Sequence, residues 1–68
     1  MFDDKMTELV AISTSVAANC HPCVKYHVNK AQEIGVDKED IKEAISVGKM
    51  VRKGAAGKMD ELTSEILE

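Results

Sequence analysis

Cys20-His21-Pro22-Cys23-Val24-Lys25-Tyr26-His27 holds both cysteines and both histidines of the chain. Proline lacks an N–H and fixes φ, so a helix tolerates it only in its first turn. A helix therefore starts between Cys20 and Pro22, with both thiols at its N-terminus. On that helix Cys20 and Cys23 lie about 60° apart around the axis, and Cys23 and His27 about 40° apart. Cys23 and His27 are one turn apart, about 6 Å of rise. Helical side chains lean toward the N-terminus, so the His27 imidazole leans toward Cys23.

Upstream, Met6, Leu9, Val10, Ser13, Val16 and Ala17 recur at three- and four-residue steps, which predicts a helix from Asp3 to Ala18. Asp3 and Asp4 suit its positive end. Ser13, Thr14 and Ser15 lower its propensity, so tertiary contacts must hold its middle. Asn19 marks the corner, ending the first helix or capping the second. Downstream, Val24, His27, Ala31 and Ile34 form one stripe that stops at Gly35. Asp37 is an N-cap for a third helix, with Asp40 in its first turn and Val36 and Ile41 placed as a hydrophobic staple. Gly48 inside it costs roughly 1 kcal/mol against alanine; it is either a site of close helix packing across an interface or a simple weak point. Gly54-Ala55-Ala56-Gly57 is expected to break or bend the chain before a last helix carrying Met59, Leu62 and Ile66. The expected fold is a single all-α domain, residues 1–68, of three to four helices that close over the cysteine stretch.

At 68 residues, with Phe2 and Tyr26 its only aromatics, the chain has little with which to fill a core. Domains this small usually need a staple, a metal or partner subunits. Two cysteines three apart cannot tie distant segments, so the fold is expected to be completed by homo-oligomerisation. The net charge is -3 and the lysines are scattered among carboxylates, which argues against nucleic-acid binding. No apolar run approaches the ~18 residues of a membrane span, and the acidic N-terminus lacks the order of a signal peptide. A cytoplasmic location is the simplest expectation. There a CxxC pair is more often redox-active or metal-binding than structural.

A thiolate, not a thiol, is the nucleophile, and a free cysteine at about 8.5 is little ionised near neutrality. The unpaired N–H groups of the helix start favour the thiolate, and His27 can take the proton. CxxC spacing lets a second thiol resolve whatever the first one forms. Three readings compete: redox chemistry, a metal site and inert buried thiols. For zinc, Cys20, Cys23 and His27 supply three ligands, with His21 or a partner's residue as the fourth. A c-type haem is excluded, because Val24 stands where that motif needs histidine. His21 either biases the thiols or faces solvent. Gly57-Lys58 is no phosphate loop, since Met59 replaces the required hydroxyl residue.

Glu8, then Cys20-x-x-Cys23-x-x-x-His27 with 11 residues between the glutamate and the first cysteine, resembles the AhpD-like alkylhydroperoxidases of the carboxymuconolactone decarboxylase superfamily. The resemblance runs from about Glu8 to Val51 and includes Leu9-Val10-Ala11, Gly35 and the Asp37-x-Glu39-Asp40-Ile41 helix start. It implies an all-helical trimer or hexamer and a thiol-dependent peroxidase or disulfide reductase in antioxidant defence. By resemblance Cys23 attacks the hydroperoxide, Cys20 resolves, His27 is the base and Glu8 the distal proton relay. The implied partners are a hydroperoxide or disulfide substrate and a thiol reductant protein or small dithiol, with no cofactor. Pro22 stands where AhpD has a histidine, and the chain is shorter than most members, which leaves a redox sensor without turnover as an alternative. Superfamily kinship also brings a decarboxylase acting on a lactone acid, but Arg52 is the sole arginine to hold a carboxylate. In a straight hairpin turning at Asn19, Glu8 levels with Ala31 and His27 with Ile12. The two are then about one turn, 6 Å, out of step. A crossing angle, an early end to the first helix or a neighbouring subunit would close that gap; otherwise Glu8 is a solvated charge.

Overall fold

The computed structural model describes all residues, Met1–Glu68, as three helices with no strand: α1 (Asp4–Ala17), α2 (His21–Glu33) and α3 (Lys38–Ile66). Asp3 caps α1, its carboxylate accepting from the Met6 N–H at 2.8 Å. The hydroxyls of Thr14 and Ser15 bond back to the carbonyls of Val10 and Ala11, while Ser13 reaches across to the Ala44 carbonyl at 2.7 Å. The low-propensity run is thus held partly by a bond to another helix.

Both helix ends that precede a turn use the same device. After α1, Asn19 takes φ 56°, its N–H bonds the Val16 carbonyl, and the Cys20 N–H bonds the Ser15 carbonyl. After α2, Gly35 takes φ 84°, its N–H bonds Gln32, and the Val36 N–H bonds Ala31. These are Schellman motifs, in which a left-handed residue lets the chain reverse while satisfying carbonyls of the last turn. The second one delivers Val36 into the core beside Ala31 and Ile41, so the expected staple forms.

α2 folds back against α1, and α3 then runs alongside α1 in the same direction: Ser13 meets Ala44, Val16 meets Gly48, and Asn19 meets Arg52. The core is Ile12, Ala31, Val36, Ile41 and Ala44, flanked by Leu9, Val28, Ile34 and Ile45. Ile12 is the one large side chain fully buried, and 8 of 68 residues are buried in all. Burying a side chain such as Ile12 contributes about 1.5–3 kcal/mol, so a core this thin leaves little margin. Little of α3 touches α2. The helices after the cysteine stretch therefore do not close over it, contrary to expectation, because α3 spends its apolar face on α1.

The expected break at Gly54–Gly57 does not occur; α3 is continuous through it. Two glycines cost a helix roughly 1 kcal/mol each but leave every hydrogen bond in place, and Ala55 and Ala56 are the best helix formers. Proline would have been needed to stop it. Gly48 is different. A Cβ there would lie 2.5 Å from the Ser13 carbonyl oxygen and 2.7 Å from Val16 Cβ, so its bare backbone is what lets α1 and α3 approach.

Gly48→Ala should therefore destabilise the fold by about 1–3 kcal/mol through overpacking, despite alanine's better helix propensity. Gly57→Ala, with nothing within 4 Å, should stabilise by up to about 1 kcal/mol. Urea midpoints of the two variants against the parent check both signs.

Candidate active site

Cys20 is the N-cap of α2, with Pro22 in its first turn, as the sequence requires. Cys20 offers no side-chain cap, so the early N–H groups of the helix lack that partner and keep their partial positive charge beside the sulfurs. Cys20 and Cys23 are joined as a disulfide, Cα–Cα 5.2 Å, and both are half-buried. A closed CxxC pair of this kind is local: it pins no two elements together and constrains little beyond its own turn.

His27 lies one turn further along α2. Its Nδ1 is 2.8 Å from Glu8 Oε1 of the same chain, with the two side chains 29% and 15% exposed. No neighbouring subunit is needed to make this contact. An ionised carboxylate only accepts, so Nδ1 carries the hydrogen and Nε2 is left as the unprotonated ring nitrogen. Tyr26 stands edge-on to the imidazole, with centroids 5.0 Å apart and planes at 86°, which limits ring rotation on that side. His21 is exposed on the first turn of α2 and makes no hydrogen bond.

The one-turn mismatch expected between Glu8 and His27 is removed by the Schellman turn. Because the Cys20 N–H returns to the Ser15 carbonyl, α2 begins at the level of Ser15, not at the tip of the corner. From there the antiparallel register places His27 opposite Glu8. The turn is braced by a residue that sequence reasoning did not single out. Arg52 Nη1 donates to Asn19 Oδ1 at 3.0 Å and to the Val16 carbonyl at 3.4 Å. Its isolation as the sole arginine was the only signal. No group of three or more His, Cys, Asp or Glu side chains is gathered in a geometry that could hold a metal ion. No helix is long and apolar enough to cross a membrane.

An all-helical hairpin with a CxxC pair at a helix start, backed by a histidine–glutamate pair, defines a small AhpD-like domain. A family model for the carboxymuconolactone decarboxylase family matches residues 2–58, and the chain belongs to that family. No curated protein and no solved structure shows significant similarity to it.

Asn19→Ala puts a Cβ-bearing residue without a local hydrogen-bonding side chain at positive φ, which costs about 1–2 kcal/mol, and removes Arg52's acceptor. Asn19→Gly keeps the turn and loses only that bond. Denaturant titration should rank them parent, Asn19→Gly, Asn19→Ala in falling stability.

Proposed function

We propose that the protein is a thiol-dependent peroxidase or disulfide reductase, acting in antioxidant defence in a reducing, cytoplasmic setting. One observation carries this: the Cys20–Cys23 disulfide stands at a helix start, one helical turn from an imidazole hydrogen-bonded to Glu8. With the pair reduced, His27 Nε2 takes the Cys23 proton. The Cys23 thiolate attacks the hydroperoxide oxygen that bears hydrogen, the O–O bond breaks, and the departing alkoxide takes the proton from His27 to leave as an alcohol. Cys23 is then a sulfenic acid. The Cys20 thiol attacks that sulfur, giving its proton by way of His27 to the displaced hydroxide. Water leaves and the disulfide seen here is formed.

A dithiol donor supplies two electrons and two protons to reopen the pair, by thiol–disulfide exchange through a mixed disulfide. Run against a disulfide substrate, the same pair is a reductase. Glu8 holds the ring in the productive tautomer and stabilises the imidazolium between the two proton transfers. The helix start favours the thiolate at both sulfurs. Both cysteines keep part of their surface exposed, which suits a bulky or protein-borne donor. No observed feature favours the lactone-acid decarboxylase: the single arginine is engaged with Asn19 and the Val16 carbonyl.

Peroxide consumption with a dithiol reductant is the direct test. Cys23→Ser should abolish it, and Cys20→Ser should stop after one turnover with the sulfenic acid trappable. His27→Gln should slow it by about 100-fold or more, the usual worth of a general base. Unchanged activity in Cys23→Ser sinks the proposal. A single oxidation without turnover in the parent protein would make it a redox sensor.

A further inference from the structure

The face of α3 that packs on α1 does not end where α1 does. Ile41, Ala44 and Gly48 are buried. The same face continues at three- and four-residue steps through Val51, Ala55, Met59, Leu62 and Ile66. Beyond Arg52, level with the end of α1, nothing covers it: residues 53–66 form an arm of roughly 20 Å. On it Met59, Leu62 and Ile66 are 58%, 49% and 68% exposed. An isolated helix of this length is marginal in water even when rich in alanine, and this one carries Gly54 and Gly57. Something must pack against the stripe to hold it helical.

Charge says what. From Ala44 to Met59 every charged residue is cationic: Lys49, Arg52, Lys53 and Lys58. From Asp60 to the last residue every one is anionic: Asp60, Glu61, Glu65 and Glu68. Two copies of the arm laid parallel would set like charge on like. Laid antiparallel, each cationic half meets the other's anionic half. The stripe has the same symmetry. With Met59 of each copy meeting at a two-fold axis, Leu62 falls opposite Ala55 and Ile66 opposite Val51, large against small in each layer. Lys58 pairs with Glu61 of its own helix at 3.3 Å, and this register brings the pair onto the same flank as its counterpart, each cation beside the other copy's carboxylate. An isologous contact needs this self-complementarity.

We propose that the α3 arm is a two-fold, antiparallel interface with a second copy of this chain, independent of the thiol chemistry. The family match ends at Lys58, so the anionic half that completes the complementarity lies outside it. The apolar groove between α1 and α3, lined by Met6, Val10 and Val47 among others, has an anionic rim at Asp40 and Glu43 and no comparable counterpart on the arm. It lies on another part of α3 and is not required by this contact.

Mass by light scattering across a concentration series tests it. The parent should assemble with an even number of chains, and Leu62→Lys should halve the mass, dimer to monomer or hexamer to trimer. Each two-fold contact loses a buried leucine from both sides, so association should weaken about 100-fold or more. Because Leu62→Lys could unwind the arm, a second pair of variants reads the contact through exposed residues alone. Lys58→Glu and Glu61→Lys each break the intrahelical pair and should each weaken association several-fold, whereas their equimolar mixture, in which only the contact between copies can be restored, should recover it. A parent that stays monomeric or trimeric up to millimolar concentration overturns the proposal, whatever else the arm might then bind. So does an assembly whose mass is unchanged by Leu62→Lys, or a mixture of the two charge variants that associates no better than either alone.

Discussion

The hydrogen bond from the Cys20 N–H to the Ser15 carbonyl is the constraint on which the site depends. It closes the Schellman turn around Asn19, and in doing so it fixes three things together. It sets where α2 begins, hence which thiol is the N-cap. It sets the antiparallel register, hence that His27 faces Glu8 and not Ile12. It also turns the Val16 carbonyl and the Asn19 side chain toward Arg52 on α3. Arg52, on a different helix from both cysteines, would be irrelevant to the candidate site if helices were independent rods. Here it braces the corner from which the cysteines start.

Much of this was legible in the sequence because the signals were local. Pro22 limits a helix start to within one or two residues, Gly35 supplies the left-handed residue at a helix end, and the Val36/Ile41 staple forms as expected. Asp37 is the N-cap position of α3, but its side chain makes no capping bond. The Cys23–His27 spacing needed only the geometry of one helix. The Glu8–His27 contact did not, because register across a corner depends on how many residues the turn consumes. Asn19 marks the corner, but residue type alone does not say whether it caps α2 or ends α1, and that choice amounts to one helical turn of register. The Glu8–His27 contact depends on that turn.

The Gly54–Gly57 segment shows the opposite failure. Glycines were read as a break on propensity alone, while the stripe of Val51, Ala55, Met59, Leu62 and Ile66 keeps a single helical phase straight through them. Phase is the better guide where no proline intervenes, since glycine weakens a helix without removing a donor. Gly48 repeats the lesson in another form: its cost in propensity is offset by the approach of Ser13 and Val16 that only a bare backbone permits. Three internal glycines on one helix thus have two different explanations, and only contact with a second helix distinguishes them.

Thin burial links the fold to the chemistry. A chain with one fully buried large side chain has little stability to spend on a strained or deeply enclosed active site, and the site it builds is correspondingly shallow. The cysteines stay half-exposed at a helix start, and the polar contact behind them, Glu8 with His27, is made between side chains that remain partly solvated. That spares the cost of burying an ion pair while still fixing the imidazole tautomer. The disulfide is local in the same way, since Cys20 and Cys23 lie within one turn and their bond ties no two helices together. The α1–α2 hairpin, and with it the register of the site, is therefore held by the Schellman turn and by the packing of Ile12 with Ala31, not by the disulfide.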